Sequence, residues 1–127
     1  MRRDMDLVRD ILMAVEDANG RVDGDTLAAL ADGDRVKALN HIEMMDAHGL
    51  VRASVTRVTG NDAMARFSVE GMTWEGYDYL DAMRSDMVWK AAKSAIAETV
   101  RDAPLSVVKD VCTALALHMV EERLGIS

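Results

Sequence analysis

The stretch Gly33–Arg57, GDRVKALNHIEMMDAHGLVRASVTR, decides the fold. Asp34 is a side-chain cap, and Arg35, Val36 and Lys37 open a helix that runs to Ala47. His48-Gly49-Leu50-Val51 turns out of that helix. From Leu50 to Thr59 small and apolar residues alternate with polar ones toward a turn at Gly60-Asn61-Asp62, and Ala65–Met72 returns. A helix, a glycine exit and a two-stranded wing form the arrangement of a winged helix-turn-helix.

At about 100° per residue, Ala38, Leu39, Ile42 and Met45 share the side of this helix that must face a core. Lys37, Asn40, His41, Met44, Ala47 and His48 fall on the opposite side, and Glu43 and Asp46 lie on the flanks. Upstream, Asp23 or Asp25 caps a short helix over Thr26–Ala31, joined to the next by the turn Ala31-Asp32-Gly33. Asp4 caps a first helix that ends at Ala18, with Leu7, Ile11 and Val15 at helical spacing. Val22 is placed to add a short strand.

Downstream, Thr73 caps a helix over Trp74–Met83 with Trp74, Tyr77, Leu80 and Met83 as its packing stripe. Ser85 or Asp86 caps the next helix, where Trp89, Ala92, Ile96 and Val100 share a face. Asp102-Ala103-Pro104 breaks it, and a last helix runs from Leu105 to Leu124. Its main stripe is Val108, Val111, Cys112, Leu115 and Met119. A second apolar group, Leu117, Val120 and Leu124, lies on its other side.

Half of the 127 residues are hydrophobic and 29% are charged, as expected of one folded domain of α+β class, predominantly helical. The reading places a winged-helix core at 1–84 and a helical C-terminal extension at 85–127. The net charge of −7 excludes a basic coat over the whole surface, although not a local basic patch. One cysteine allows no internal disulfide, and no apolar run has the length of a membrane span. The expectation is a cytoplasmic protein of a bacterial cell with no membrane partner.

The residues resemble an uncharacterised family common in phages and prophages, domain of unknown function 2513. The resemblance rests on the opening RRDMDLVRDIL of residues 2–12, on His41-Ile42, on Gly49-Leu50-Val51, and above all on MTWEGYDYLDAMRSDMVWK of residues 72–90. It implies a winged-helix fold and a mobile-element origin, and it implies no activity. The chain departs from the family's pattern in the wing loop and at Asn40.

The candidate binding residues are Arg35, Lys37, Asn40, His41 and Met44 on the central helix and Arg52, Arg57 and Arg66 on the wing. In a major groove Asn40 can pair with adenine and Lys37 with phosphate or guanine, while the wing arginines, with Arg2 and Arg3 in reserve, grip flanking phosphates. The competing reading is a winged domain turned to protein contacts, for which Met44 and Ala47 are the better suited residues. His41 and His48, about 10 Å apart along the helix, are too distant to share a metal. His118 and Glu122 lack a third ligand. Cys112 sits on an apolar stripe, and no nucleophile motif, phosphate loop or carboxylate pair stands out. These observations predict no enzyme, no cofactor and no metal. The expected partner is double-stranded DNA bound by a regulator, with Leu117, Val120 and Leu124 pairing a homodimer. The alternative is a host protein inhibited by a phage factor, an anti-CRISPR role included, with acids such as Asp78 and Asp81 meeting a basic groove.

Overall fold

Each helix of the first half begins on an aspartate. The computed structural model describes residues 3–99 and 104–124. In it Asp4 caps α1 (Met5–Ala18) by accepting the Leu7 N–H at 3.1 Å. After β1 (Val22–Asp23), Asp23 caps α2 (Gly24–Leu30) through the Thr26 N–H at 2.8 Å. Asp34 caps α3 (Arg35–Ala47) through the Lys37 N–H at 3.0 Å. The extended backbone at each cap leaves the carboxylate free to reach forward to an otherwise unbonded donor. Between α2 and α3 the chain passes through Asp32 at φ 55° and Gly33 at φ 83°. Glycine tolerates the second left-handed residue because it has no Cβ.

From α3 the chain enters β2 (Val51–Val58) and returns as β3 (Asn61–Met72). The sheet is antiparallel in the order β1-β3-β2, with Val22 opposite Val69, and Ser54 opposite Ser68. Val22 therefore adds the third strand that its position suggested. Register shifts at Arg52/Ala53 and Thr56/Val58 bend the hairpin. Alternation along β3 turns Ala65, Phe67 and Val69 inward. Against that face Leu7, Ile11 and Leu12 of α1, Leu27 of α2, and Leu39, Ile42 and Met45 of α3 form the buried core of the first half.

α4 (Trp74–Met83) starts on Thr73, whose backbone N–H donates to the Leu50 carbonyl at 3.0 Å and whose hydroxyl accepts the Gly76 N–H at 3.0 Å. A Cβ at Gly76 would lie 2.1 Å from the Leu50 carbonyl oxygen, so this approach needs a glycine. The contacts divide the chain into two compact units, Met1–Asp78 and Tyr79–Ser127, and the division falls within α4. In the second unit α5 (Asp86–Thr99), capped by Ser85, packs with α6 (Leu105–Leu124). Tyr79, Leu80, Met83, Val88, Trp89, Ala92, Val108 and Cys112 are its buried residues.

Two aromatic expectations are corrected here. Trp74 is 84% exposed and Tyr77 is also exposed, so neither belongs to a packing stripe. The tight seat of Gly76 on Leu50 fixes the rotation of the first turn of α4, and that rotation turns both rings outward. Tyr79, not Tyr77, is the buried tyrosine, with Lys109 4.9 Å from its ring centroid. Arg2, Val100 and the side chain of Leu124 lie outside the described residues. No described helix is long and apolar enough to cross a membrane.

Candidate functional site

α3 is covered on two sides, and what covers it decides which residues can meet a partner. On one side lies the start of α1. Lys37 Nζ donates to Asp4 Oδ2 at 2.8 Å, and both side chains are about a third exposed, 34% and 35%. The hydrogen bond from Lys37, helped by the Leu7 N–H, holds the Asp4 carboxyl below its usual range, and Asp4 in turn raises Lys37. One turn further on, His41 is 0% exposed. Its Nε2 accepts the Asp4 backbone N–H at 2.9 Å, which places the ring proton on Nδ1 to donate to the Lys37 carbonyl at 2.8 Å. The expectation that His41 lies on the outward face is thus corrected. It sits at the edge of the buried arc of α3, and α1 widens that arc enough to enclose it.

On the other side lies the hairpin. Arg57 makes a forked pair with Glu43, Nη1 to Oε2 at 2.6 Å and Nη2 to Oε1, and its Nε reaches Asp62 at 3.2 Å. This geometry raises Arg57 and lowers Glu43. Asp46 accepts the Ala53 N–H at 3.3 Å and fastens β2 to the same flank. Between these two sides the outward stripe of α3 is Val36, Asn40, Met44 and Ala47, with Asn40 half-buried and the exposed Asp46 on the hairpin flank. Val36 and Met44 are each 36% exposed. The stripe carries no charge.

The cations expected to grip a partner do not converge on that stripe. Arg35 is turned to the sheet, where it donates to Asp25 at 2.9 Å and to the Ala65 carbonyl at 3.0 Å and covers the Phe67 ring. Arg52 lies over Gly71, in a hollow shared with Val15, Asn19 and Tyr77. Arg66 lines a different cleft with Arg21 and Arg35. Asp4 and Glu43, the carboxylates that hold Lys37 and Arg57, were missing from the expected site, whereas Asp62 opposes the wing arginines near the tip of the hairpin as its place in the sequence suggested. No sequence spacing announces a pair between Glu43 and Arg57, fourteen residues apart across a turn.

In the second unit Leu117 and Val120 are 57% and 53% exposed. His118 and Glu122 pair with each other at 3.0 Å, and no group of three potential metal ligands occurs among the described residues. Cys112 is buried, on the stripe where its neighbours placed it.

The chain belongs to the family described as Hypothetical protein (DUF2513), whose sequence model matches residues 2–101. An uncharacterized protein of Haemophilus influenzae is 28% identical over 123 residues, which cover 94% of this chain and 98% of the relative. No solved structure matches.

Proposed function

We propose that this chain is a non-catalytic winged-helix module whose outward α3 face, bordered by the hairpin, binds a protein. The observation that carries this reading is the neutral stripe Val36, Asn40, Met44 and Ala47 on the helix that would otherwise read DNA. Binding to duplex DNA draws its affinity from several cations placed on phosphates. Here Lys37 is held by Asp4, Arg57 by Glu43 and Asp62, and Arg35 by Asp25. A phosphate contact by Lys37, Arg57 or Arg35 would first have to break one of these pairs, in a chain of net charge −7. An apolar helix stripe flanked by polar groups suits helix-to-protein packing, with Asn40 as the residue that sets register. In a chain of phage or prophage origin, as its resemblance implies, the partner is a protein of the bacterial host.

DNA remains the second reading. It is favoured by the helix-turn-helix order of α2 and α3 and by Arg52 and Arg66, which make no ion pair among the described residues. Fluorescence anisotropy of mixed-sequence duplex DNA at low and moderate salt separates the two. The protein-binding reading expects no saturable binding at either salt. Binding that weakens with salt and is lost in Arg52→Glu/Arg57→Glu would overturn it. A photo-reactive residue at position 44 then tests the face directly. It should cross-link one host protein, and Val36→Glu should abolish the product.

A further inference from the structure

Beside β3, where β1 ends, the sheet carries a polar cleft that the α3 face does not use. Its volume is about 390 Å³, enough for a small molecule and larger than a bare ion needs. Register builds it. Ser54 lies opposite Ser68, and Thr56 opposite Arg66, so alternation sends these four side chains to one face. Asp23 lies opposite Ser68 on the other flank, after which the chain turns away into α2 at Gly24. A Cβ at Gly24 would sit 2.8 Å from the Phe67 carbonyl oxygen and 3.2 Å from Arg35 Nη2, so glycine keeps this wall close. Arg21 and Arg35 complete the lining.

Three guanidinium groups and three hydroxyls therefore surround one space. Ser68 is buried and donates to Glu70 at 2.7 Å. Arg21 meets Glu70 only at 3.4 Å. Arg66 makes no hydrogen bond or ion pair among the described residues, so its whole donor fork is available. The two acids of the lining have partners of their own. Asp23 is taken up by the Thr26 N–H. Asp25 rests on Arg35 with a side chain 95% exposed, a carboxylate in the place where an incoming oxyanion would go.

We propose that this cleft binds a phosphorylated small molecule, its phosphoryl group held by Arg66 and Arg35 with Ser54 and Thr56 donating from the strand. Phosphate suits the site because planar, forked guanidinium groups match its oxygens two at a time. Carboxylate ligands offer fewer acceptors to three arginines. On binding, the phosphoryl group displaces Asp25 from Arg35 and leaves that side chain to solvent. The site is independent of the protein-binding face proposed above, and either can fail without the other.

The test is an amide NMR titration of the full chain with inorganic phosphate and, separately, glycerol 3-phosphate, against sodium chloride at matched ionic strength. Saturable shifts at Ser54, Thr56, Arg66 and Ser68 are expected with both phosphates and not with chloride. Glycerol 3-phosphate should bind more tightly, which assigns the organic monoester over the free ion. Arg66→Ala, on an exposed strand position, should weaken binding ~10-fold, the loss of one charge-assisted pair. Asp25→Asn should strengthen it, because the internal competitor is gone. Shifts that do not saturate, that chloride reproduces, or that Arg66→Ala leaves unchanged would overturn the proposal. So would equal affinity for the two phosphates, which would leave an adventitious ion only.

Discussion

His41 separates a reading residue from a structural one, and its replacement by alanine tests which it is. A histidine that meets a partner can be removed at little cost to the fold. The His41 found here is fully enclosed, with both ring nitrogens hydrogen-bonded, one to the start of α1 and one to its own helix. Each bond contributes about 1 kcal/mol net. The space left by the ring adds about 1–2 kcal/mol at ~24 cal/mol per Å³, since a packed surrounding relaxes only in part. The sum for His41→Ala is about 3–4 kcal/mol, a large share of the ~5–15 kcal/mol that holds a typical domain together. Because Asp4 loses its backbone partner as well, the damage should begin at α1. Amide exchange under native conditions reads this directly. Protection over 7–15 and 38–45 should fall together, by ~100-fold or more, with α5 and α6 changing less. His41→Gln, which keeps a side-chain acceptor, should recover part of it. If His41→Ala leaves exchange and the urea midpoint within ~0.5 kcal/mol of the wild type, the ring is not buried and the account of α3 fails.

Other perturbations follow from the same contacts. Gly76→Ala would favour a helix by about 1 kcal/mol at an open position. Against the Leu50 carbonyl oxygen it should instead destabilise by about 3 kcal/mol, and a urea midpoint that rises would refute the close approach. Glu43→Gln should cost less than ~1 kcal/mol, because the pair with Arg57 is solvent-exposed, yet speed amide exchange in β2; unchanged exchange there would mean that the fork does not hold the hairpin. The folded Asp4 carboxyl lies below its unfolded value of ~3.9, so its stabilisation is present above that pH and is lost as pH falls through the folded value. Asp4→Asn should therefore flatten the fall of the urea midpoint below pH ~4, and an unaltered acid limb would count against the Lys37 pair. If Leu117 and Val120 pair two copies of the chain, sedimentation gives a dimer and Leu117→Glu a monomer; a monomeric wild type ends that idea.

Local signals made the elements legible. Asp4, Asp34 and Thr73 start helices where cap chemistry places them, and the alternation through Val51 and Phe67 gives the hairpin. The candidate site was less legible because exposure on α3 depends on what covers its flanks. A helical projection assigns Ala38, Leu39, Ile42 and Met45 to the core correctly. It cannot say that α1 reaches far enough round to enclose His41, or that the hairpin claims Glu43. Trp74 and Tyr77 fail for a related reason. Their spacing fits a packing face, but a backbone contact at Gly76 fixes the rotation of that turn. Arg21 entered no expectation at all, since its importance comes from strand register across three separate segments.

The acidity of the chain has a different meaning once these pairs are placed. A net charge of −7, taken alone, speaks about partners, as a reason to expect a basic groove or to doubt DNA. Asp4, Glu43, Asp62 and Asp25 account for only about one unit of that excess, because they are the counter-ions of Lys37, Arg57 and Arg35. Such pairs contribute little stability one by one. Their larger effect is on where charge is absent. They remove cations from both flanks of α3 and leave its outward stripe neutral, while Arg66 keeps its full donor set on the sheet. The molecule thus presents two surfaces of opposite character, one apolar and one cationic, that a count of charged residues would average away. A partner that packs on Met44 and a phosphoryl group that seeks Arg66 need not compete.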